Sequence, residues 1–584
     1  MRDRLLVRVF LWRFLEHDLV SPDADRRGVL SAVGGALAAL SLFVAILVAA
    51  PYQFSNDLPP GLTALRALDD RFLFTASSML VLAVAAVIQW DALVLDPRDA
   101  AVLGPLPLTR GVIVRAKFTA TALYAVAVLV MWNLFSTMLR FVAIPIGLHI
   151  GLAGSFKLTL AHALITGAAG LFGFLAVLGS REGLFAILGT VGFRKISAVV
   201  QAALIVGLTT SLLLLPGVSG VGEWWRAQEA VAATALPPSW FVGLHETLAG
   251  AVIDGLPRLR PARYLVRPEH EATDLYRSLW PLYHRLALIA IFAGGVVAIG
   301  TVAACVWNSR RLPSAASRPV PSDTAVRRGC RWIAMHLVAR ASVQQAGFFF
   351  TLQTLSRRVS HRVAIAWASA LGLALVVVAA SGSQSAAGSG PIPVAVLAVQ
   401  PLLVGSVMHG FRRATRLPSE LGASPTFSLA WSGGGADFIS GVKRAGWMVV
   451  VAPALLGLAT WHTAILGPRV AALHFGVGLT MSAVLMEMTF MRCRAVPFVS
   501  ANVPAVDVKL RVGGFLVALV SLSSVLACIE RWSFGAVARY LSLVAFLMVL
   551  GLATAVFDRV YRSSPLRLEG EDEFLPTQRL NLAQ

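Results

Sequence analysis

Blocks of about 18–22 residues with no charged side chain, or only one, recur along the whole chain, and each is long enough to cross a ~30 Å hydrocarbon core at 1.5 Å per residue. Inside oil a backbone must satisfy its own hydrogen bonds, so such blocks are helices. A water-soluble fold is excluded by the same pattern. Only 14% of residues are charged, against roughly 25% in a soluble protein, and the mean hydropathy is +0.74. Twelve stretches meet the criterion: 29–50, 72–95, 118–138, 158–178, 196–215, 286–307, 363–380, 392–411, 447–466, 470–490, 512–528 and 540–557. The expected fold class is therefore an all-α integral membrane protein with about twelve transmembrane helices.

Arginine and lysine set the expected orientation, because cytoplasmic loops carry their excess. With the N-terminus inside, the inside segments hold Arg2, Arg4, Arg8, Arg13, Arg26 and Arg27, then Arg98, Arg110, Arg115 and Lys117, then Arg181, Arg194 and Lys195. The central stretch 310–362 has ten arginines and one acid, Asp323. Arg412, Arg413, Arg416, Lys443 and Arg444 follow, and then Arg492, Arg494, Lys509 and Arg511. The longest outside segment, 218–283, balances six arginines against seven acids. Both termini are then cytoplasmic. The formal charge of +20 is spread between spans rather than gathered in one basic domain, which speaks for membrane loops and against nucleic acid. The first 28 residues are charged and amphipathic and do not read as a cleavable signal peptide. Cys305, Cys330, Cys493 and Cys528 have neither zinc nor CxxC spacing.

The chain repeats itself weakly. Each half opens on an amphipathic stretch, Phe10–Asp18 and Phe348–Leu355, followed by Arg26–Arg27 or Arg357–Arg358 and then a span. The second span of each half runs into a long loop rich in proline and charge. The fourth holds a histidine, His162 or His474. Six spans per half is an even number, so the halves are expected as two parallel repeats about an axis along the membrane normal. The expected division is 1–311, a linker at 312–330, 331–562, and a polar tail at 563–584.

The loop Asp91–Phe118 (DALVLDPRDAAVLGPLPLTRGVIVRAKF) has the content of a short surface helix. Asp96 and Pro97 stop the preceding helix, Pro97 suits a first helical position, and Pro105 and Pro107 end the new turn. Thr109 is placed to cap the next helix. The counterpart Phe411–Trp447 carries Pro418–Leu421 (PSEL) in place of Pro97–Ala100 (PRDA), and Gly441–Ala445 (GVKRA) in place of Gly111–Ala116 (GVIVRA). Either loop alone reads equally well as an ordinary basic connection. Two at the same place in two halves favour a docking role.

With those residues in view, the chain resembles the permeases of type-2 ABC exporters, as a fused, double-length subunit. The resemblance implies an amphipathic elbow helix before each six-helix half. It also implies a coupling helix after each second span that contacts a separate ATPase. Carried onto this sequence, the ATPase-docking residues are Asp96, Pro97, Arg98, Asp99, Leu106 and Pro107 in the first loop, and Pro418, Ser419, Glu420 and Leu421 in the second. Leu417–Phe427, Glu487–Pro497 and Pro237–Leu244 resemble a branch of fused permease-like proteins. The implied partners are a cytoplasmic ABC ATPase, in two copies, and the lipid bilayer of the cell's inner membrane. The implied activity is export of an unknown substrate.

ATP and Mg would belong to the partner. A P-loop needs GxxxxGK[ST], and none of the five lysines, at 117, 157, 195, 443 and 509, follows a glycine. No catalytic residue, cofactor site or metal site is expected in the chain. His162, His474 and Glu487 are candidates for a polar path, since ionisable groups in spans usually face the bundle interior. The plainer readings are an interhelical hydrogen bond for the histidines and a headgroup-level position for Glu487 and Lys157. Trp224, Trp225, Trp240 and Trp280 in the outer segment suit an interfacial belt. Two other classes remain open: an ion-coupled secondary transporter, which needs charges at mid-membrane, and a membrane enzyme acting on lipid-linked substrates.

Overall fold

The structure is a computed structural model and describes residues 2–15, 26–54, 60–90, 92–93, 108–148, 151–218, 220–227, 231–254, 274–310, 341–357, 359–384, 392–417, 435–491, 493, 496–499 and 508–561. Among them there is helix and no strand. The described residues fall into two compact units, those up to Arg310 and those from Ala341.

In the first unit the helices are α1 (Arg2–Leu15), α2 (Arg26–Phe54), α3 (Pro60–Ile88), α4 (Arg110–Leu148), α5 (Leu152–Leu214), α6 (Val221–Ala227), α7 (Val231–Ala235), α8 (Pro237–Asp254) and α9 (Trp280–Arg310). α5 packs on α3, α4 and α9, while α2 packs on α4. α8 lies against α9, α5 and α3.

In the second unit they are α10 (Ser342–Arg357), α11 (Val359–Gln384), α12 (Val394–Arg416), α13 (Gly435–Gly446), α14 (Ala452–Leu466), α15 (Pro468–Phe490), α16 (Val508–Ser533) and α17 (Val537–Tyr561). A π-type turn, Trp447–Val451, joins α13 to α14. α12 is the central helix here and touches α11, α15 and α16.

A helix covers most of each of the twelve predicted stretches. Eight helical segments among the described residues are long and apolar enough to cross a membrane: Ala64–Ile88, Gly111–Leu139, Leu152–Gly189, Trp280–Ser309, Val394–Arg416, Gly435–Leu466, Pro468–Phe490 and Val537–Val560. A ninth arises if Ser342–Ser356 and His361–Val377, bent by 80°, count as one span. Gly34–Ala49 and Val199–Leu214 are apolar but shorter.

The outward faces carry the apolar side chains. Along α9 these are Leu288, Ile291, Phe292, Val296 and Ile299, with Phe292 75% exposed. Arg71, Glu182, Glu246, His474 and Glu530 are buried instead. Apolar outside and polar inside is the arrangement a lipid solvent selects.

Two features depart from the sequence reading. The expected loop with Arg181, Arg194 and Lys195 stays helical, broken only at Gly189, whose φ of 63° leaves the helical region. Trp225, assigned to an interfacial belt, is fully buried against Tyr283 at a ring separation of 6.4 Å. α8, from the same segment, packs on α9, α5 and α3 in the interior of the first unit.

Candidate functional site

The predicted docking residues Asp96, Pro97, Arg98, Asp99, Leu106, Pro107, Pro418, Ser419, Glu420 and Leu421 all lie outside the described residues. What the structure gives is the frame from which both loops leave and to which they return.

In the first unit the end of α3 is held by three other helices. Gln89 Nε2 donates to the Phe14 carbonyl on α1 at 2.8 Å. Thr121 Oγ1 on α4 donates to the Leu93 carbonyl at 3.2 Å. The buried Trp90 indole donates to Ser197 Oγ on α5 at 2.8 Å. α4 then starts at Arg110, with the Thr109 carbonyl accepting from the Val112 amide at 3.0 Å.

The amphipathic α1 lies on the start of α4. Its apolar stripe, Phe10 and Phe14, is buried. The Lys117 ammonium sits over the Phe10 ring at 4.6 Å and the Phe14 ring at 5.2 Å. Such placement lets a buried cation trade water for ring quadrupoles. Phe14 also stacks on Tyr124 at 5.1 Å.

The second unit places its amphipathic helix in the same relation by another chemistry. α10 packs on α13, the helix that follows the second long loop. Gly347 faces the Phe438 carbonyl and Gly441 faces the Gln344 carbonyl, so the two backbones touch with no side chain between them. Gln344 Nε2 donates to Asp437 Oδ1 at 3.0 Å. Phe498, at φ 66°, stacks its ring on His361, and its amide donates to the Thr415 carbonyl at 2.8 Å. A left-handed aromatic residue is strained, and this one fixes the turn after α15 against the end of α12.

Polar clusters stand at both ends of each bundle. Where the loops leave, Asn308 Nδ2 on α9 donates to the Glu182 carbonyl at 2.9 Å and to its carboxylate at 2.8 Å, and Arg181 pairs with the same carboxylate. In the second unit Lys443 on α13 pairs with Glu487 at the end of α15 and, at 3.1 Å, with Asp558 at the end of α17. Each cluster joins the C-terminal end of the fourth predicted span to that of the sixth.

At the opposite end of the first unit Arg71 on α3 is ion-paired with Glu246 on α8, both fully buried, and Tyr276 donates to the same carboxylate at 2.6 Å. Burial first, and then the Glu246 charge, push the Tyr276 phenol above its ordinary value. Asp69 accepts the Gly220 and Val221 amides at 3.0 and 2.8 Å, which places a negative charge at the start of α6. The corresponding end of the second unit holds His474 Nδ1 at 2.7 Å from Glu530 Oε1, with the His462 ring edge-on at 4.5 Å.

The path residues named from sequence fall in both units. His162 is in the first unit, buried, 3.2 Å from Ser136 Oγ and edge-on to Phe74. His474 and Glu487 are 13 positions apart on α15, about 20 Å along a helix, and each has its own partner. Lys157 is exposed. No group of three or more His, Cys, Asp or Glu side chains that could hold a metal occurs among the described residues.

Comparison with family models, with curated proteins and with solved structures gives no match to this chain.

Sequence reasoning missed Arg71, Glu182, Glu246, His462, Glu530 and Asp558. For most of them the signal was an ionisable side chain at the edge of an apolar block, as in the ACIERW run around Glu530. Nothing local told that its partner was 56 positions away.

Proposed function

We propose that this chain is the membrane-spanning permease subunit of an ABC-type exporter, with about twelve crossings in two six-helix halves and ATP hydrolysed by separate cytoplasmic ATPase subunits. The observation that carries this reading is the position of the amphipathic helices. In each unit, the helix preceding the first predicted span packs on the helix that resumes after the long loop, α1 on α4 and α10 on α13. A helix lying at the membrane surface beside the root of a docking loop is suited to brace that loop. A push on it would then be passed into α4 or α13–α14 rather than lost in bending. The shared clamps between the fourth and sixth spans at the same end add support. The halves are not identical: α2 packs chiefly on α4, whereas α11 packs chiefly on α12.

On this reading Asp96, Pro97, Arg98, Asp99, Leu106 and Pro107 make the first docking surface and Pro418–Leu421 the second. The protein is co-purified with its ATPase, carrying Arg98→Glu together with Asp99→Arg. Loss of ATPase association and of ATP-driven transport is expected. Association and transport both unchanged would overturn the docking assignment.

An ion-coupled secondary transporter is the second reading. It is favoured by the buried ionisable groups Arg71–Glu246 and His474–Glu530. Transport that persists without any ATPase and collapses with the ion gradient would select it.

A further inference from the structure

We infer that His474 Nε2, backed by Glu530, is a proton-binding site inside the helical bundle of the second unit. It is independent of the ATP-driven reading and concerns a site that reading does not use.

The side chains of His474 and Glu530 are 1% and 2% exposed and come from different helices, α15 and α16. One ring nitrogen is spoken for: Nδ1 lies 2.7 Å from Glu530 Oε1. The other, Nε2, is buried and has no hydrogen-bond partner. Most buried polar atoms in a folded protein are satisfied, so a bare ring nitrogen beside a buried carboxylate is a place for a proton.

Proton bookkeeping assigns a use to that atom. With Nδ1–H donating to an ionised Glu530, neutral His474 presents a bare lone pair at Nε2, and the pair carries one negative charge. A proton added at Nε2 makes an imidazolium beside a carboxylate, and the net charge becomes zero. Nothing is oxidised or reduced; the proton comes from the aqueous phase and returns to it. A low-dielectric surrounding penalises net charge, and here the carboxylate is already in place to compensate the incoming proton.

The neighbours fit that role. From α14, His462 sets its ring edge-on to His474 and bonds the Val396 carbonyl at 3.3 Å through Nε2. From α17, Tyr540 donates its hydroxyl to the Leu473 carbonyl at 3.1 Å. From α12, Gln400 packs against Gly478, one turn along α15 from His474. Of the cations on these helix ends, Arg469 and Arg539 are exposed, and Arg531, next to Glu530 in the last turn of α16, is half-buried. His474, Glu530 and His462 lie near the α14–α15 and α16–α17 turns, so the distance to water is a few residues of helix.

The test uses the full chain with 15N-labelled histidine, purified into lipid nanodiscs. The His474 resonance is assigned by its loss in His474→Asn and followed across about pH 4 to 9 by 15N solid-state NMR. The wild type is expected to interconvert between a neutral and a doubly protonated ring. In Glu530→Gln the ring is expected to stay neutral through the same range, since the compensating charge is gone. A wild-type His474 held in one protonation state throughout would overturn the inference, and that measurement needs no variant beyond the assignment. A folded Glu530→Gln protein that titrates as the wild type does would overturn it equally.

Discussion

Lys443 pairs with Asp558 at 3.1 Å across 115 positions of sequence and bonds Glu487 with the same ammonium. One cation thereby joins the ends of α13, α15 and α17. The three side chains are 12%, 5% and 25% exposed, so the charges are only partly screened by solvent.

Removing the cation takes from both carboxylates the ammonium they share. Lys443→Met is expected to destabilise the second unit, and adding Asp558→Asn should return part of the loss. The coupling between the two changes is expected at about 0.5–3 kcal/mol. A double-mutant cycle on thermal unfolding in nanodiscs measures it. Strict additivity would show that the ammonium does not bridge the two helices.

A methyl group on Gly441 would overlap the Gln344 carbonyl oxygen, and one on Gly347 would overlap the Phe438 carbonyl oxygen. Gly441→Ala is expected to cost about 1–3 kcal/mol by forcing α10 and α13 apart. Gly457→Ala, where nothing lies within 4 Å, should instead gain about 0.5–1 kcal/mol of helix stability. Limited proteolysis and hydrogen exchange over α10 distinguish the two: only Gly441→Ala should loosen that helix.

The Tyr276 phenol sits beside Glu246, and burial and that carboxylate hold it above its ordinary value of 10.0. A group whose folded value is raised gives stability that is fully present below its unfolded value. That stability is lost as pH rises beyond it, because the unfolded chain releases the proton first. The first unit is therefore expected to weaken from about pH 10 upward. Tyr276→Phe should lower stability by about 1.5–3 kcal/mol at neutral pH, through the lost bond to a charged group. It should also flatten the alkaline decline. An alkaline decline equally steep in Tyr276→Phe would remove Tyr276 as its cause.

The helices were readable because their signal is local. The runs around Leu152–Gly189 and Trp280–Ser309 announce themselves by composition alone. The turn between α14 and α15 was equally plain: Gly467 takes φ 77° and Pro468 opens the next helix. The amphipathic stretches at Phe10 and Phe348 were legible for the same reason, since periodicity over a few turns marks the face that will be buried.

The candidate sites were not legible to that degree. His474 was singled out as an ionisable group in an apolar block, and His162 likewise. Glu530 closes a run whose hydropathy dominates any window around it, so it passed as the edge of a span. Trp225 read as an interfacial residue, yet it is fully buried beside Tyr283 of α9. Gly189 breaks α5 at a single residue where charges at 181–195 had pointed to a loop.

Sequence by itself determined that this chain partitions into oil as helices, because hydropathy and backbone hydrogen bonding are summed residue by residue along one segment. Tertiary structure alone decided which polar groups meet. Arg71 with Glu246, Glu182 with Asn308, Lys443 with Asp558 and His474 with Glu530 are pairings between distant helices. Their energies depend on how those helices cross and on the water their packing removes, and neither quantity exists in a single segment.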